Sequence, residues 1–226
     1  MAEGELRVVH LDEALAVVDK PAGLVVHPAP SHHGPTLVSE LAEILGGGED
    51  PERPGIVHRL DKGTSGLMVV ARSDAAHAAL QAQVRRREVE RAYLALARGQ
   101  LASRTGTIDA PIGRASRQRH RMAVSGAASR QARTHFEALE ALTHETYLEA
   151  RLETGRTHQI RAHFAAIGHP LAGDATYGGE PKYGLERQFL HAHRLSFAHP
   201  ESGERLSFAS ELPADLAAAL AAARAA

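Results

Sequence analysis

The stretch "HRLDKGTSG", residues 58–66, decides the fold, because it lies between two strand-like apolar runs. "PGIV" (Pro54–Val57) precedes it and "LMVV" (Leu67–Val70) follows its last residue. A single carboxylate, Asp61, stands inside it between basic residues, and glycines and hydroxyl residues come next. Glycine tolerates backbone conformations that other residues avoid, so the composition predicts a bend. The pattern indicates two strands joined by a bend that presents one acid.

Four interpretations of Asp61 stay open on local sequence alone. It could bind a metal with His58, although no third ligand follows at a familiar spacing. It could be half of a glycosidase carboxylate pair, with Glu149, Glu153 or Asp174 as the partner. It could be a lone nucleophile or base, kept ionised by a neighbouring arginine. It could also bond its own backbone in an ordinary turn.

Composition limits the classes of protein to consider. Hydrophobic residues make up 43% of the 226 residues, which is enough for a packed core. The chain has no cysteine, which excludes disulfides, thiolate nucleophiles and cysteine-ligated zinc. We find no signal peptide and no apolar run long enough to span a membrane, so we expect a cytoplasmic protein.

The charge distribution is more informative than the net charge of -1, which alone argues against nucleic-acid binding. From Ala110 to Phe136 the sequence contains no acid. An acid-free stretch rich in arginine is the expected footprint of a phosphate-binding surface. Its arginines are Arg114, Arg117, Arg119, Arg121, Arg130 and Arg133.

Hydrophobic periodicity predicts more strands than helices. The predicted strands are Leu15–Asp19, Gly23–His27, Leu67–Arg72, Arg91–Ala97, Thr105–Asp109, Thr134–Leu139, Tyr147–Glu153, Arg194–Ala198 and Arg205–Ala209. The predicted helices are Leu37–Leu45 after a Thr36 cap, Ser73 or Asp74 to about Arg87, Thr157–Ile167, and Asp215–Ala226. Because strands are often consecutive, we expect an α+β fold with a mixed, mostly antiparallel sheet flanked by helices and loops. Residues 46–54 are the clearest linker.

Six segments, in order and with similar spacing, resemble the RluA-type pseudouridine synthase family. The likeness extends from about Val17 to Ser210. The opening stretch is similar to the family signature, in which the aspartate of His-Arg-Leu-Asp is catalytic. The other segments are "VVDKPAGLVVHP" (17–28), "RAYLALARG" (91–99), "RQRHRMAV" (117–124), "LETGRTHQIRAHFAAIGHPLAGDATYG" (152–178) and "LHAHRLSFAHPESGE" (190–204).

The resemblance implies one catalytic domain over residues 1–226, with a core of about 15–212 and an active-site cleft across the sheet. It implies isomerisation of uridine to pseudouridine in structured ribosomal or transfer RNA, with no cofactor and no metal. The catalytic residues would be Asp61, Tyr93 and Arg161. Asp61 would attack C1′ of the ribose or remove a proton from C2′, a choice that the sequence leaves open. Tyr93 would stack on the extracted base or transfer a proton.

Arg161 is the expected partner of Asp61, because it matches the family's conserved arginine. Its predicted helix carries Ile160, Phe164 and Ile167 on one face, so the guanidinium beside that face is expected to be partly buried. A buried guanidinium needs a carboxylate partner.

The resemblance also implies that the target base is flipped out of its stack, with Arg59 filling or holding the vacated space. We expect RNA contacts from further residues of the matched segments and from the acid-free stretch. The residues expected to bind RNA are Arg59, Lys62, Thr64, Arg114, Arg117, Arg119, Arg121, Arg156 and His158. Short family members lack an N-terminal RNA-binding domain, and we expect the same here, in a monomeric enzyme.

Two other classes of function remain in competition. A non-catalytic RNA-binding protein could share this fold, but it would not need a carboxylate facing phosphates. A nucleoside hydrolase or glycosidase would release free uracil rather than isomerise it. The chemical product therefore separates the three classes.

Overall fold

The computed structural model describes residues 4–28, 33–115 and 121–226. The strands are β1 (Arg7–Leu11), β2 (Leu15–Lys20), β3 (Ser65–Ala71), β4 (Glu90–Arg98), β5 (Thr105–Asp109), β6 (Ile112–Arg114), β7 (Met122–Val124), β8 (Ala127–Arg130), β9 (Arg133–Ala141), β10 (Glu145–Leu152), β11 (Leu190–Ala198) and β12 (Arg205–Ala209). The helices are α1 (Leu37–Glu40), α2 (Asp74–Arg86), α3 (Gln159–Ala166) and α4 (Ala214–Ala225).

The chain divides into two compact units. The first unit comprises Met1–Glu90 and Ala192–Ser210, and the second comprises Arg91–His191 and Glu211–Ala226. Asp61 therefore belongs to the first unit, whereas Tyr93 and Arg161 belong to the second. A single catalytic domain with one cleft stays a prediction.

The first unit is built on the strand order β1-β2-β3-β11, with β12 paired to β11. β2 and β3 pair antiparallel with Val17 opposite Val69, and both strands are almost wholly buried. Helix α2 begins at Ser73, whose side chain accepts a hydrogen bond from the amide of Ala76. Leu80 of α2 packs with Val17 and Val69 in one hydrophobic cluster. Burial on both faces explains why β3 reads as a continuous apolar run.

Gly66, the last residue of the opening stretch, has a structural reason to be glycine. Its φ is +116°, and a Cβ there would lie 2.3 Å from the carbonyl oxygen of Ala192. No side chain fits between the start of β3 and the neighbouring strand. Gly66 therefore fixes how β3 begins, two residues after Thr64, which closes the turn that carries Asp61.

The second unit contains the antiparallel strand order β4-β10-β9-β5 and a small sheet with the order β7-β6-β8. Helix α4 packs Leu216 and Leu220 against Leu96 and Phe189 in one core cluster. Helix α3 is buried through residues 159–164, including Ile160, Phe164 and the arginine between them. The small sheet contains most of the described part of the acid-free stretch, whose last residues, from Arg133, lie in β9.

The α+β fold class with a mostly antiparallel sheet is confirmed. Eight of the nine predicted strands are present within a few residues, but Gly23–His27 forms only an isolated bridge at Val25 and not a strand. The helix predicted over Leu37–Leu45 is shorter and ends at Glu40, although Thr36 does form its capping box. No helix in the described ranges has the length and apolar character needed to cross a membrane.

Candidate active site

Asp61 lies on a tight turn directly before β3. The amide of Thr64 donates a hydrogen bond to the main-chain oxygen of Asp61 at 3.0 Å, which closes the turn. Asp61 itself is half-buried, Lys62 is exposed, and Thr64 is only 2% exposed. The burial of Thr64 favours a role in shaping the turn over the RNA contact expected from the sequence. The turn therefore leaves Asp61 partly exposed to solvent, directly before the buried strand β3.

Lys20 ties an earlier segment of the chain to this turn. It is 0% exposed, and its Nζ donates to the carbonyl oxygens of Pro21, Leu24 and Lys62 at 2.8, 2.9 and 3.3 Å. The amide of Gly23 also donates to the Lys62 carbonyl, at 2.8 Å. Sequence reasoning missed Lys20, although a lysine ending the apolar strand "LAVVDK" was a signal. Its buried ammonium is stabilised by carbonyl dipoles and anchors the Asp61 turn.

Arg59 lies on the surface two residues before Asp61 and contacts a buried histidine. Its Nη1 is 3.2 Å from Nε2 of His27, which therefore acts as the acceptor. Partial desolvation lowers the pKa of Arg59 below its ordinary value, and the nearby Asp61 carboxylate opposes that shift. Burial, together with the charges of Arg59 and Arg53, lowers the pKa of His27 to about 4. The charges of Arg59 and Asp61 therefore attract each other, and the neutral imidazole of His27 accepts a hydrogen bond from the Arg59 guanidinium.

Tyr93 lies in β4 of the second unit and is 5% exposed. Arg91 is two residues earlier on the same strand, so both side chains leave the same face. Arg91 is also buried, at 7% exposure, and the two side chains interact electrostatically. Sequence reasoning identified Tyr93 but gave no role to Arg91. Tyr93 is held in a rigid strand, as a stacking platform would require.

Arg161 is buried on α3 at 6% exposure, as the helix pattern predicted. Its guanidinium forms a bidentate ion pair with Asp174, with Nε–Oδ2 at 2.7 Å and Nη2–Oδ1 at 2.8 Å. Asp174 is 1% exposed, so both charges are removed from solvent. Sequence reasoning offers Asp174 only as a possible second glycosidase acid and does not indicate its role as the partner of Arg161. The pairing of Arg161 with Asp61 stays a prediction.

Tyr177 connects α3 to the small basic sheet. Its hydroxyl accepts a hydrogen bond from the amide of Met122 at 2.9 Å and lies 3.1 Å from Nδ1 of His158. The guanidinium carbons of Arg121 and Arg161 lie 4.8 and 5.1 Å from the centre of its ring. Cations near an aromatic face are attracted by its quadrupole. Tyr177 therefore contacts two arginines at once, a role that no sequence pattern indicates.

The described arginines of the acid-free stretch do not all face solvent as isolated cations. Arg114 and Arg130 are exposed on the small sheet. Arg133 instead pairs with Asp109 of β5 at 2.6 Å and with Glu153, just after β10, at 3.1 Å, so these acids neutralise it. Arg117 and Arg119, two of the expected RNA-binding residues, lie outside the described residues.

Arg156 and His158, also expected to bind RNA, lie in the loop that leads into α3. Arg156 is half-buried, and its Nε donates to the carbonyl oxygen of Gln131 at 3.1 Å. His158 adopts a left-handed backbone conformation, with φ of +54°, at the N-terminus of the helix. Both side chains thus have structural contacts within the second unit, and their RNA contacts stay predictions.

A cavity of about 600 Å³ opens between the small sheet and α3. Its polar lining includes Arg121, Ser125 and Tyr177, and its apolar lining includes Ala162 and Ala166 of the helix. Cavities of this size can accommodate a nucleotide-sized ligand. The described residues contain no group of three or more histidine, aspartate or glutamate side chains that could hold a metal ion.

The chain is similar in sequence and in fold to proteins of one known family. Residues 14–166 match the family described as RNA pseudouridylate synthase, and this range includes Asp61, Tyr93 and Arg161. A solved structure, Human RNA Pseudouridylate Synthase Domain Containing 1, superposes with a TM-score of 0.73 at 30% identity. That likeness covers 94% of this chain and 87% of the human one.

Curated bacterial relatives are more similar in sequence. The chain is 46% identical over 224 residues to "Ribosomal large subunit pseudouridine synthase D" of Zymomonas mobilis, covering 93% of this chain and 70% of the relative. It is also 46% identical over 216 residues to an uncharacterised RNA pseudouridine synthase of Bacillus subtilis, covering 94% and 71%.

Proposed function

The chain belongs to the RNA pseudouridylate synthase family, and on that premise we propose that it isomerises uridine in ribosomal RNA, with Asp61 starting the reaction. It is an RNA pseudouridine synthase, an isomerase that acts on RNA. The observation that carries the finer proposal is the position of Asp61 in the matched "HRLD" segment, on a turn held by Lys20 and Thr64.

Ribosomal RNA is the proposed substrate because the Zymomonas mobilis relative is named for the large ribosomal subunit. Transfer RNA is the alternative. We also propose that the enzyme is a monomer and that it is located in the cytoplasm.

The chemistry required of Asp61 is set by the overall conversion. The bond between N1 of uracil and C1′ of ribose breaks, and a bond between C5 and C1′ forms. C5 loses its proton and N1 gains one, so the conversion is redox-neutral and needs no oxidant or reductant. Asp61 either attacks C1′ or removes the proton from C2′, and both roles require an ionised carboxylate. The turn before β3 supports either role, because it presents the carboxylate while its backbone is held by hydrogen bonds.

Tyr93 is proposed to serve the second half of the conversion. Its ring can stack on the extracted uracil, an interaction of roughly 1–3 kcal/mol per base. Its hydroxyl oxygen can accept the proton that leaves C5 while the phenolic proton passes to solvent, since proton transfer needs a group within hydrogen-bond reach. Burial in β4 supports this role, because a rigid strand positions the ring more precisely than a loop would.

Base flipping is proposed because a base within a folded RNA cannot otherwise reach a half-buried carboxylate, and extrusion costs a few kcal/mol. Arg59 is the residue proposed to hold the flipped nucleotide or fill its place. Its exposed position two residues from Asp61 and its contact with neutral His27 support that assignment. Arg114, Arg121 and Arg156 are proposed to contact the phosphates that position the substrate.

Arg161 is proposed to orient Asp61 and balance its charge. Support comes from its place in the matched family range and from Asp174, which already fixes the guanidinium from one side. An arginine has five donors, so a bidentate pair with one acid leaves donor capacity for another.

The test is pseudouridine mapping of ribosomal and transfer RNA from cells with and without the gene for this chain. We expect at least one ribosomal uridine to lose its modification when the gene is deleted and to regain it on complementation. If pseudouridine is lost from transfer RNA alone, transfer RNA and not ribosomal RNA is the substrate. Release of free uracil by the purified protein would replace isomerisation by hydrolysis.

A further inference from the structure

Arg91 is a buried guanidinium for which the described chain provides no acid. The residue is 7% exposed, and its Nε is sealed from solvent with no hydrogen-bond partner among residues 4–28, 33–115 and 121–226. The nearest acids in sequence are engaged elsewhere: Glu88 pairs with Arg86 at 2.9 Å, and Glu90 pairs with Arg205 at 2.7 Å. Arg91 therefore differs from Arg161, whose burial is matched by Asp174.

An unpaired buried charge is costly to keep. Removing a cation from water without a partner costs several kcal/mol, roughly, and a guanidinium does not readily lose its proton. Burial lowers the pKa of Arg91 below its ordinary value, and the proximity of Tyr93 opposes that shift. Nothing else in the described structure favours the charged form. An anion supplied from outside the chain would favour the charged form of Arg91.

The position of Arg91 gives such an anion a route of approach. Its Nη1 lies 2.7 Å from the point where a Cβ of Gly155 would be, so the absence of a side chain there makes room for the guanidinium. Gly155 is itself exposed, in the loop that leads to α3. The guanidinium thus extends from the buried strand β4 to a point just beneath the surface. On the same face of β4 lies Tyr93, the proposed stacking platform.

We propose that Arg91 binds a backbone phosphate of the RNA at the target nucleotide, beside the base that stacks on Tyr93. This assignment rests on the proposed function, because it requires RNA as the substrate. A phosphate fits better than a uracil carbonyl, since it is charged and can accept two parallel hydrogen bonds from a guanidinium. The phosphate would supply the counter-charge that the chain lacks, so binding of substrate would complete an otherwise unpaired site.

The test is a coupling measurement between Arg91 and single phosphates. RNA oligonucleotides spanning the mapped uridine carry a neutral methylphosphonate at the phosphate 5′ or 3′ to it. Dissociation constants are measured in a D61N background, so that turnover does not change the RNA. We expect one methylphosphonate to weaken binding by about 10- to 100-fold with Arg91 present. The same replacement should cost no more than about twofold with R91Q, because the contact is already lost.

Matched variants separate this contact from loss of charge or of folding. Arg98 is an exposed arginine at the other end of β4, and R98Q should retain the full methylphosphonate effect. G155A retains the charge of Arg91 but crowds its guanidinium, so it should reduce the coupling. If R91Q does not fold, R91K and G155A provide the same comparison.

If each methylphosphonate weakens RNA binding equally with and without the Arg91 side chain, Arg91 does not bind either phosphate and the assignment is overturned. Contact of Arg91 with a uracil carbonyl instead of a phosphate would give that result. The assignment and the proposed function can fail separately. A wild-type protein that forms no pseudouridine in any RNA overturns both. Normal pseudouridine formation with no coupling at Arg91 overturns the Arg91 assignment alone.

Discussion

Arg161 is clamped by both carboxylate oxygens of Asp174, at 2.7 and 2.8 Å, and both residues are more than nine-tenths buried. Asp174 lies thirteen positions after Arg161 in the sequence, so the pair fixes α3 against the loop that follows it. The guanidinium is thereby held in one orientation before any substrate binds. A catalytic arginine gains from such an arrangement, because no binding free energy is then spent on orienting it.

Breaking this pair should be strongly destabilising. D174N removes the buried carboxylate that forms two hydrogen bonds with the Arg161 guanidinium, so the free energy of unfolding should fall by about 3–5 kcal/mol. Urea denaturation measures the loss. The Arg187–Asp215 pair has similar geometry, at 2.7 and 3.0 Å, but Asp215 is 31% exposed. D215N should therefore cost much less, and equal losses for both variants would contradict the role of burial.

The sequence predicts candidate residues for the site, whose roles stay predictions, but it does not identify the partners of those residues. Asp61, Tyr93 and Arg161 could be located from short segments, and strand alternation gave β5 and β12 with the observed ends. The partner of Arg161 could not be found that way, because the contact with Asp174 depends on how a loop folds back on α3. The small strands β6 to β8 were missed, since their short, arginine-rich sequence has no clear alternation.

Other errors have equally local causes. Gly23–His27 has the composition of a strand, but its backbone groups serve Lys20, Lys62 and an isolated bridge instead. The glycines of residues 46–54 suggested a linker, yet a Cβ at Gly46 would lie 2.2 Å from the carbonyl oxygen of Arg72. Gly46 and Gly47 are required because the backbone packs closely there, which composition alone cannot distinguish from flexibility.

Y177F should weaken RNA binding more than it slows turnover. Removing the hydroxyl leaves the amide of Met122 without its acceptor, at a cost of about 1–3 kcal/mol, and loosens the small basic sheet from α3. Steady-state kinetics should show a raised KM for RNA with a smaller change in kcat. Tyr183, whose hydroxyl donates to Glu145 at 2.5 Å, provides the control. Y183F should cost similar stability and leave KM unchanged, so a parallel change in KM would refute the positioning role.

Stability should depend on pH through His27. Its pKa is about 4 in the folded protein and about 6.5 in an unfolded chain, so the unfolded state binds more protons between these values. The contribution is fully present above pH 6.5 and is lost as the pH falls from 6.5 through 4. In H27Q, the decrease in the free energy of unfolding between pH 6.5 and pH 4 should be smaller than in the wild type by roughly 1–3 kcal/mol. Urea titrations across pH 4–7 measure it, and identical pH profiles for both proteins would refute the assignment.

Y93F should separate stacking from proton transfer at C5. The phenylalanine ring retains the stacking surface in β4, so the dissociation constant for RNA should stay within about twofold of the wild-type value. Loss of the hydroxyl should slow turnover by about 10²–10⁴-fold if Tyr93 accepts the proton. Single-turnover kinetics with matched binding measurements distinguish the two effects. Unchanged turnover would leave Tyr93 with stacking as its only role.

The most direct test of the central claim is pseudouridine formation by D61N on the mapped ribosomal RNA fragment. The substitution preserves the shape of the side chain on its turn but removes the charge that either mechanism requires. We predict RNA binding close to that of the wild type and no detectable pseudouridine by chemical labelling. Pseudouridine formed by D61N at a rate near that of the wild type would contradict the assignment of Asp61.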